Sequence, residues 1–82
     1  MISMVFAVFD SAARVYSPPF LVARDEIAKR MFYEACSDRN STIGKYPSEF
    51  ALYRLGTFND EDGSFVCERP GPFFIVVGGL VS

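Results

Sequence analysis

The stretch Arg24-Asp25-Glu26-Ile27-Ala28-Lys29-Arg30-Met31-Phe32-Tyr33-Glu34-Ala35-Cys36 decides the fold. Ile27, Ala28, Met31, Phe32 and Ala35 recur at i, i+1, i+4, i+5 and i+8, which is one stripe of an α-helix. Asp25 and Glu26 fall in the first turn, where carboxylates complement the positive end of the helix dipole. Glu26 and Arg30 form an i,i+4 pair of favourable polarity. The polar run Ser37-Asp38-Arg39-Asn40-Ser41-Thr42 ends the helix, and Gly44 to Pro47 continues the connection.

On either side of this helix the pattern is that of strands. Met4-Val5-Phe6-Ala7-Val8-Phe9 is short, aromatic and β-branched, and stops at Asp10-Ser11. Ala12 to Tyr16 is a candidate returning strand, although Asp-Ser-Ala-Ala lacks the glycine that two-residue turns prefer. Pro18-Pro19 is expected to end the pairing, because neither residue donates a ladder hydrogen bond. After the helix, Phe50 to Leu55 and Ser64 to Cys67 read as two strands joined through Asn59-Asp60-Glu61-Asp62-Gly63. Gly63 is expected in the left-handed region and Gly56 at a strand end. Arg69-Pro70-Gly71-Pro72 breaks the chain, and Phe73 to Val77 is the last strand, ending at Gly78-Gly79. The sum is one α+β domain over residues 1–82. Its expected form is an antiparallel sheet of about four to five short strands with one amphipathic helix packed on one face.

A chain of 82 residues and 9.2 kDa has room for one domain. Area scaling gives roughly 4,900 Å² exposed when folded against about 13,300 Å² unfolded, a thin core. Half of the residues are hydrophobic, with 9 Phe and 4 Tyr. Either the large rings make the core economical, or part of the surface stays apolar until it meets a partner. Net charge is −2, without the basic excess usual in nucleic-acid binders, so DNA contact requires a locally folded basic face. Cys36 and Cys67 are read as reduced, buried thiols. No stretch is long enough to cross a membrane, and no basic segment precedes the first apolar run.

No motif marks an enzyme. Histidine is absent, and nothing singles out a lysine base or a carboxylate pair. Asp60-Glu61-Asp62-Gly63 superficially suggests a calcium loop, but Arg69 stands where the loop's closing glutamate belongs. The glycines build no phosphate cradle. No cofactor, metal or small-molecule substrate is therefore expected. Lys29, Arg30, Arg39 and Lys45, with Arg14 and Arg54, are the candidate phosphate contacts. Tyr16, Tyr33 and Tyr53 are candidate stacking faces, the usual chemistry for single-stranded nucleic acid. On composition and spacing alone, a solvated helix face beside ordinary core aromatics is the favoured reading of these residues. Phe73, Phe74, Ile75, Val76 and Val77 form either a buried strand or an edge that pairs with another copy.

Several segments occur together in a familiar order. They are Phe9-Asp10, Tyr16-Ser17-Pro18-Pro19-Phe20, Ala28-Lys29-Arg30-Met31-Phe32, the run from Tyr46 to Gly56, Phe58-Asn59-Asp60 and Gly63. Over about residues 4–67 the chain resembles the small non-structural protein of gokushovirus-type microviruses, which are single-stranded DNA phages. The resemblance implies a regulator in the host cytoplasm that binds DNA or the replication complex. It would help turn genome replication toward single-strand synthesis and packaging. The implied partners are single-stranded or replicative-form DNA, the phage replication complex, and further copies of the chain as a homodimer or higher homo-oligomer. A protein–protein adaptor working through an apolar surface is the alternative. The apolar tail from Phe73 to Gly79 departs from the family pattern.

Overall fold

The computed structural model describes residues 1–80, so the last two residues of the expected domain lie outside the described residues. The order is β1 (Ile2–Asp10), β2 (Val15–Tyr16), β3 (Phe20–Val22), α1 (Asp25–Ser37), α2 (Thr42–Lys45), β4 (Phe50–Asn59), β5 (Phe65–Cys67) and β6 (Phe73–Val77). Short 3-10 turns flank β4 and β6 at Pro47–Glu49 and Gly78–Leu80. Among the described residues the sheet is antiparallel and has six strands rather than four or five. The six fill only four positions. β1 and β4 pair along their whole length, from Ile2↔Asn59 to Asp10↔Phe50. Short β2 and β3 share the outer side of β1, while β5 and β6 share the outer side of β4.

Two local devices explain the split edge along β1. The turn after β1 has no glycine; Arg14 takes the left-handed conformation instead, at φ 61°. The Asp10 carboxylate compensates by accepting from the amides of Ala12 and Ala13 at 3.0 and 3.2 Å. Pairing was expected to end at Pro18-Pro19, and it does not. Ser17 holds the interruption in place, because its amide donates to Val8 O at 2.8 Å and its hydroxyl accepts from Val8 N at 2.9 Å. The register slips by one residue across the prolines, from Phe9↔Tyr16 to Phe6↔Phe20, and β3 resumes the ladder. Prolines are tolerated there because the strand is an edge.

α1 forms where the periodicity places it, but its buried face is rotated. Ala28 and Phe32 are buried as expected, whereas Ile27 and Met31 are 36% and 45% exposed. Tyr33 and Cys36 pack against the core in their place. The buried line therefore runs Asp25, Ala28, Phe32, Cys36, at i, i+3, i+7 and i+11. The connection after α1 is more ordered than a loop: Ser41 caps α2 by accepting from Gly44 N at 3.0 Å. The main core lies between α1 and the sheet, built on Phe6, Ala28, Phe32, Phe50 and Leu52.

Gly63 has φ 73°, as its turn requires. Gly56, expected at a strand end, instead lies inside β4 between Val5 and Cys67. A Cβ there would stand 2.1 Å from the Val66 carbonyl oxygen, so only glycine lets β5 approach. Leu55 is the extra residue of a bulge beside it, between Val5↔Gly56 and Phe6↔Arg54. Both cysteines are free, but the expectation of two buried thiols fails: Cys67 is exposed on its short edge strand and Cys36 is half-buried. Burial raises the Cys36 pKa.

Two outcomes follow from this packing. Gly56→Ala must push the β5 backbone away, and urea unfolding should show a loss of about 2 kcal/mol. Brief alkylation of the native protein at mildly alkaline pH, read by peptide mass, should label Cys67 well before Cys36.

Candidate nucleic-acid interface

The two faces of the sheet carry different chemistry because strand residues alternate. Phe6 and Val8 of β1 and Phe50 and Leu52 of β4 pack against the helix-side core. On the other face Phe9 stands opposite Ala51, and Ala7 stands opposite Tyr53. Each large ring therefore faces an alanine across the strands and has room to lean. Tyr16 joins from β2, opposite Phe9, and Phe74 joins from β6, opposite Tyr53.

The result is a row of four rings across the helix-free face. Ring centroids are 4.8 Å apart for Phe9 and Tyr16, 6.1 Å for Phe9 and Tyr53, 5.7 Å for Tyr16 and Tyr53, and 5.7 Å for Tyr53 and Phe74. Three of these contacts are edge-to-face, with interplanar angles of 73–83°, the geometry the ring quadrupole favours. The ends of the row are open: Tyr16 is 43% and Phe74 50% exposed. The Ala7 beneath is fully covered. Further along the same face, Val5, Pro19, Leu21, Phe58 and Phe65 line a small cleft of about 250 Å³ with no polar wall.

The candidate phosphate contacts do not gather around this row. Arg14 is the nearest in sequence, in the turn two residues before Tyr16. Lys29 and Arg30 lie on α1 and Lys45 ends α2, with Arg39 in the connection between the two helices. The helices pack on the opposite side of the sheet. Tyr33 is the tyrosine that does meet Lys29 and Arg30, in a shallow trough along α1. Glu26, Glu34 and Asp38 line the same trough, so its charges offset one another.

Arg54 is committed elsewhere. Its Nη1 donates to Asp25 Oδ2 and its Nε to Glu68 Oε2, both at 2.8 Å, and its guanidinium lies 4.9 Å from the centre of the Phe73 ring. Burial lowers the Arg54 pKa, but the bond to Glu68 and the field of Asp25 outweigh it, and the net shift is upward. The side chains of Arg54, Asp25 and Glu68 are 22–28% exposed, so the cluster is worth more than a surface pair. It joins the first turn of α1, the middle of β4 and the segment before β6. The Asp25 carboxylate must point into the sheet to reach Arg54, which accounts for the rotated face of α1.

The sequence pointed to Tyr16 and Tyr53 as stacking faces and to Phe74 for self-association, but it did not place Phe9 and Phe74 in one row with the two tyrosines. The alternation of β1 and β4 was a usable signal, but it says which residues share a face only once the register is known.

An α+β sheet with a helix layer on one face and an aromatic row on the other is the class of architecture present here. Residues 3–79 match the family model described as Phage ORF5 protein, so the chain belongs to that family. No curated protein and no solved structure matches it. No helix of the described residues is long and apolar enough to cross a membrane.

Arg54→Met should strand two carboxylates and cost about 2 kcal/mol in urea unfolding. The same substitution, on the other face of the sheet, should leave the tyrosine near-ultraviolet circular dichroism of the aromatic row unchanged.

Proposed function

We propose that this phage protein binds single-stranded DNA across the helix-free face of its sheet, and through it acts on the switch from genome replication toward single-strand synthesis and packaging. The observation that supports this most directly is the row Tyr16, Phe9, Tyr53, Phe74. Bases stack on exposed aromatic faces irrespective of sequence, at about 1–3 kcal/mol each. Duplex DNA hides those faces inside its own stack. An aromatic platform therefore selects single strands without reading base edges.

The charge distribution shapes the expected binding. With Arg14 the nearest cation by sequence and Lys29, Arg30, Arg39 and Lys45 on the helix side, few phosphates are neutralised. Each neutralised phosphate of a single strand contributes about −0.7 to the slope of log affinity against log salt. The slope is accordingly shallow, and stacking carries the affinity.

A specific observation favours a second reading, a protein–protein adaptor. The cleft of Val5, Pro19, Leu21, Phe58 and Phe65 is wholly apolar and fits a hydrophobic side chain better than a base. Both readings use one face, and strand preference separates them.

Fluorescence anisotropy with a labelled single strand and a duplex of the same length tests the proposal. Preference for the single strand, weakened about tenfold by Tyr16→Ala or Tyr53→Ala and scarcely changed by Lys29→Glu with Arg30→Glu, is the expected result. Equal affinity for duplex, or sensitivity only to the helix-side substitutions, would overturn it. Absence of binding at low salt would leave the adaptor reading.

A further inference from the structure

The aromatic row ends at a half-exposed ring, Phe74, on a sheet edge. The two sides of the sheet treat their edges differently. On the β1 side, the two-residue β2 is followed by Pro18-Pro19 and a slipped register, both features that prevent another strand from adding. On the β4 side, β5 has three residues and adjoins the acidic turn Asp60-Glu61-Asp62. β6 is the longest edge strand, five residues of Phe, Ile and Val without a charge. Among the described residues no backbone bond reaches its outer side. Its two phenylalanines are both about half exposed, Phe73 at 52% on the helix side and Phe74 at 50% on the aromatic side. One irregularity interrupts the inner ladder: between Leu52 and Tyr53 the register steps over Ile75, which has no partner in β4.

From this asymmetry we infer that β6 pairs antiparallel with β6 of a second copy, making one sheet whose two aromatic rows run together as a single single-strand-binding surface. Antiparallel pairing about a twofold axis perpendicular to the sheet keeps equivalent faces on the same side. Both helix layers then lie on one side and both rows on the other, joined at the two Phe74 rings. The joining surface is uncharged in both copies, so no like charges meet. The second copy contributes rings to the site and also a second Arg14, in a protein whose net charge of −2 leaves a single copy poorly equipped to hold phosphates. The longer surface rests on the single-strand reading; the pairing itself does not.

Sedimentation velocity of the full chain without DNA, from low to high micromolar, tests the pairing alone. A dimer is expected for the wild type and a monomer for Phe73→Glu. That substitution places a charge on the edge, on the side away from the aromatic row, and keeps a favourable neighbour for Arg54. Hydrogen exchange of the wild type, compared at low and high concentration, needs no variant: added protection should centre on residues 73–77. A wild type monomeric throughout, a folded Phe73→Glu protein that still dimerises, or protection confined to another segment would each overturn the inference. If the dimer forms, oligonucleotides of about four and about eight bases should differ in affinity by about a hundredfold. A dimer that binds neither oligonucleotide would refute the single-strand reading and leave the pairing intact.

Discussion

The antiparallel ladder between β1 and β4 is the constraint on which the rest of this molecule depends. It joins residues 2–10 to residues 50–59, and every other strand hangs from one of its two sides. Because β1 and β4 are about twice as long as ordinary edge elements, each outer side accommodates two short strands with a connection between them. Those connections contain Ser17-Pro18-Pro19 on one side and Glu68 to Pro72 on the other. Glycine at position 56 and the bulge at Leu55 let the long strands bend while β5 stays paired.

Alternation along those two strands divides the chemistry of the protein. The helix side takes the larger core and, through Arg54, an ion cluster that fixes how α1 sits. The opposite side is left with alanines, aromatic rings and a cleft, and no helix of the described residues covers them. The high aromatic content divides between the two faces: Phe6, Phe32 and Phe50 make an economical core, while Phe9, Tyr16, Tyr53 and Phe74 populate a partly open face. The folded chain exposes 5503 Å², more than the roughly 4,900 Å² expected of a typical folded monomer of this mass. A flat, one-sided sandwich explains the excess.

Legibility followed the range of the interactions. α1 was readable because its period is local and strong, and the Gly63 turn because one residue's conformation dictates it. β3 was not readable, since Pro18-Pro19 signals an ending and the hydroxyl of Ser17 that bridges it gives no periodic signature. The rotation of α1 depends on Asp25 reaching Arg54, 29 residues away, and no helical periodicity encodes that. The candidate site divided in the same way. Tyrosines and basic residues could be named, but which of them share a face depends on the β1–β4 register, and that register places Tyr16 and Tyr53 away from the helices that carry Lys29, Arg30 and Lys45.

The separation in sequence of β1 from β4 has a consequence during translation. β1 is synthesised about forty residues before its central partner begins; at synthesis rates of roughly 5–20 residues per second, that gap amounts to several seconds. In that interval the only neighbours available to β1 in the sheet are β2 and β3, from the same hairpin. A chain that has released β1, β2 and β3 but not yet β4 can pair β1 only along one side, and the two bonds between Val8 and Ser17 are what lets that pairing run past the prolines.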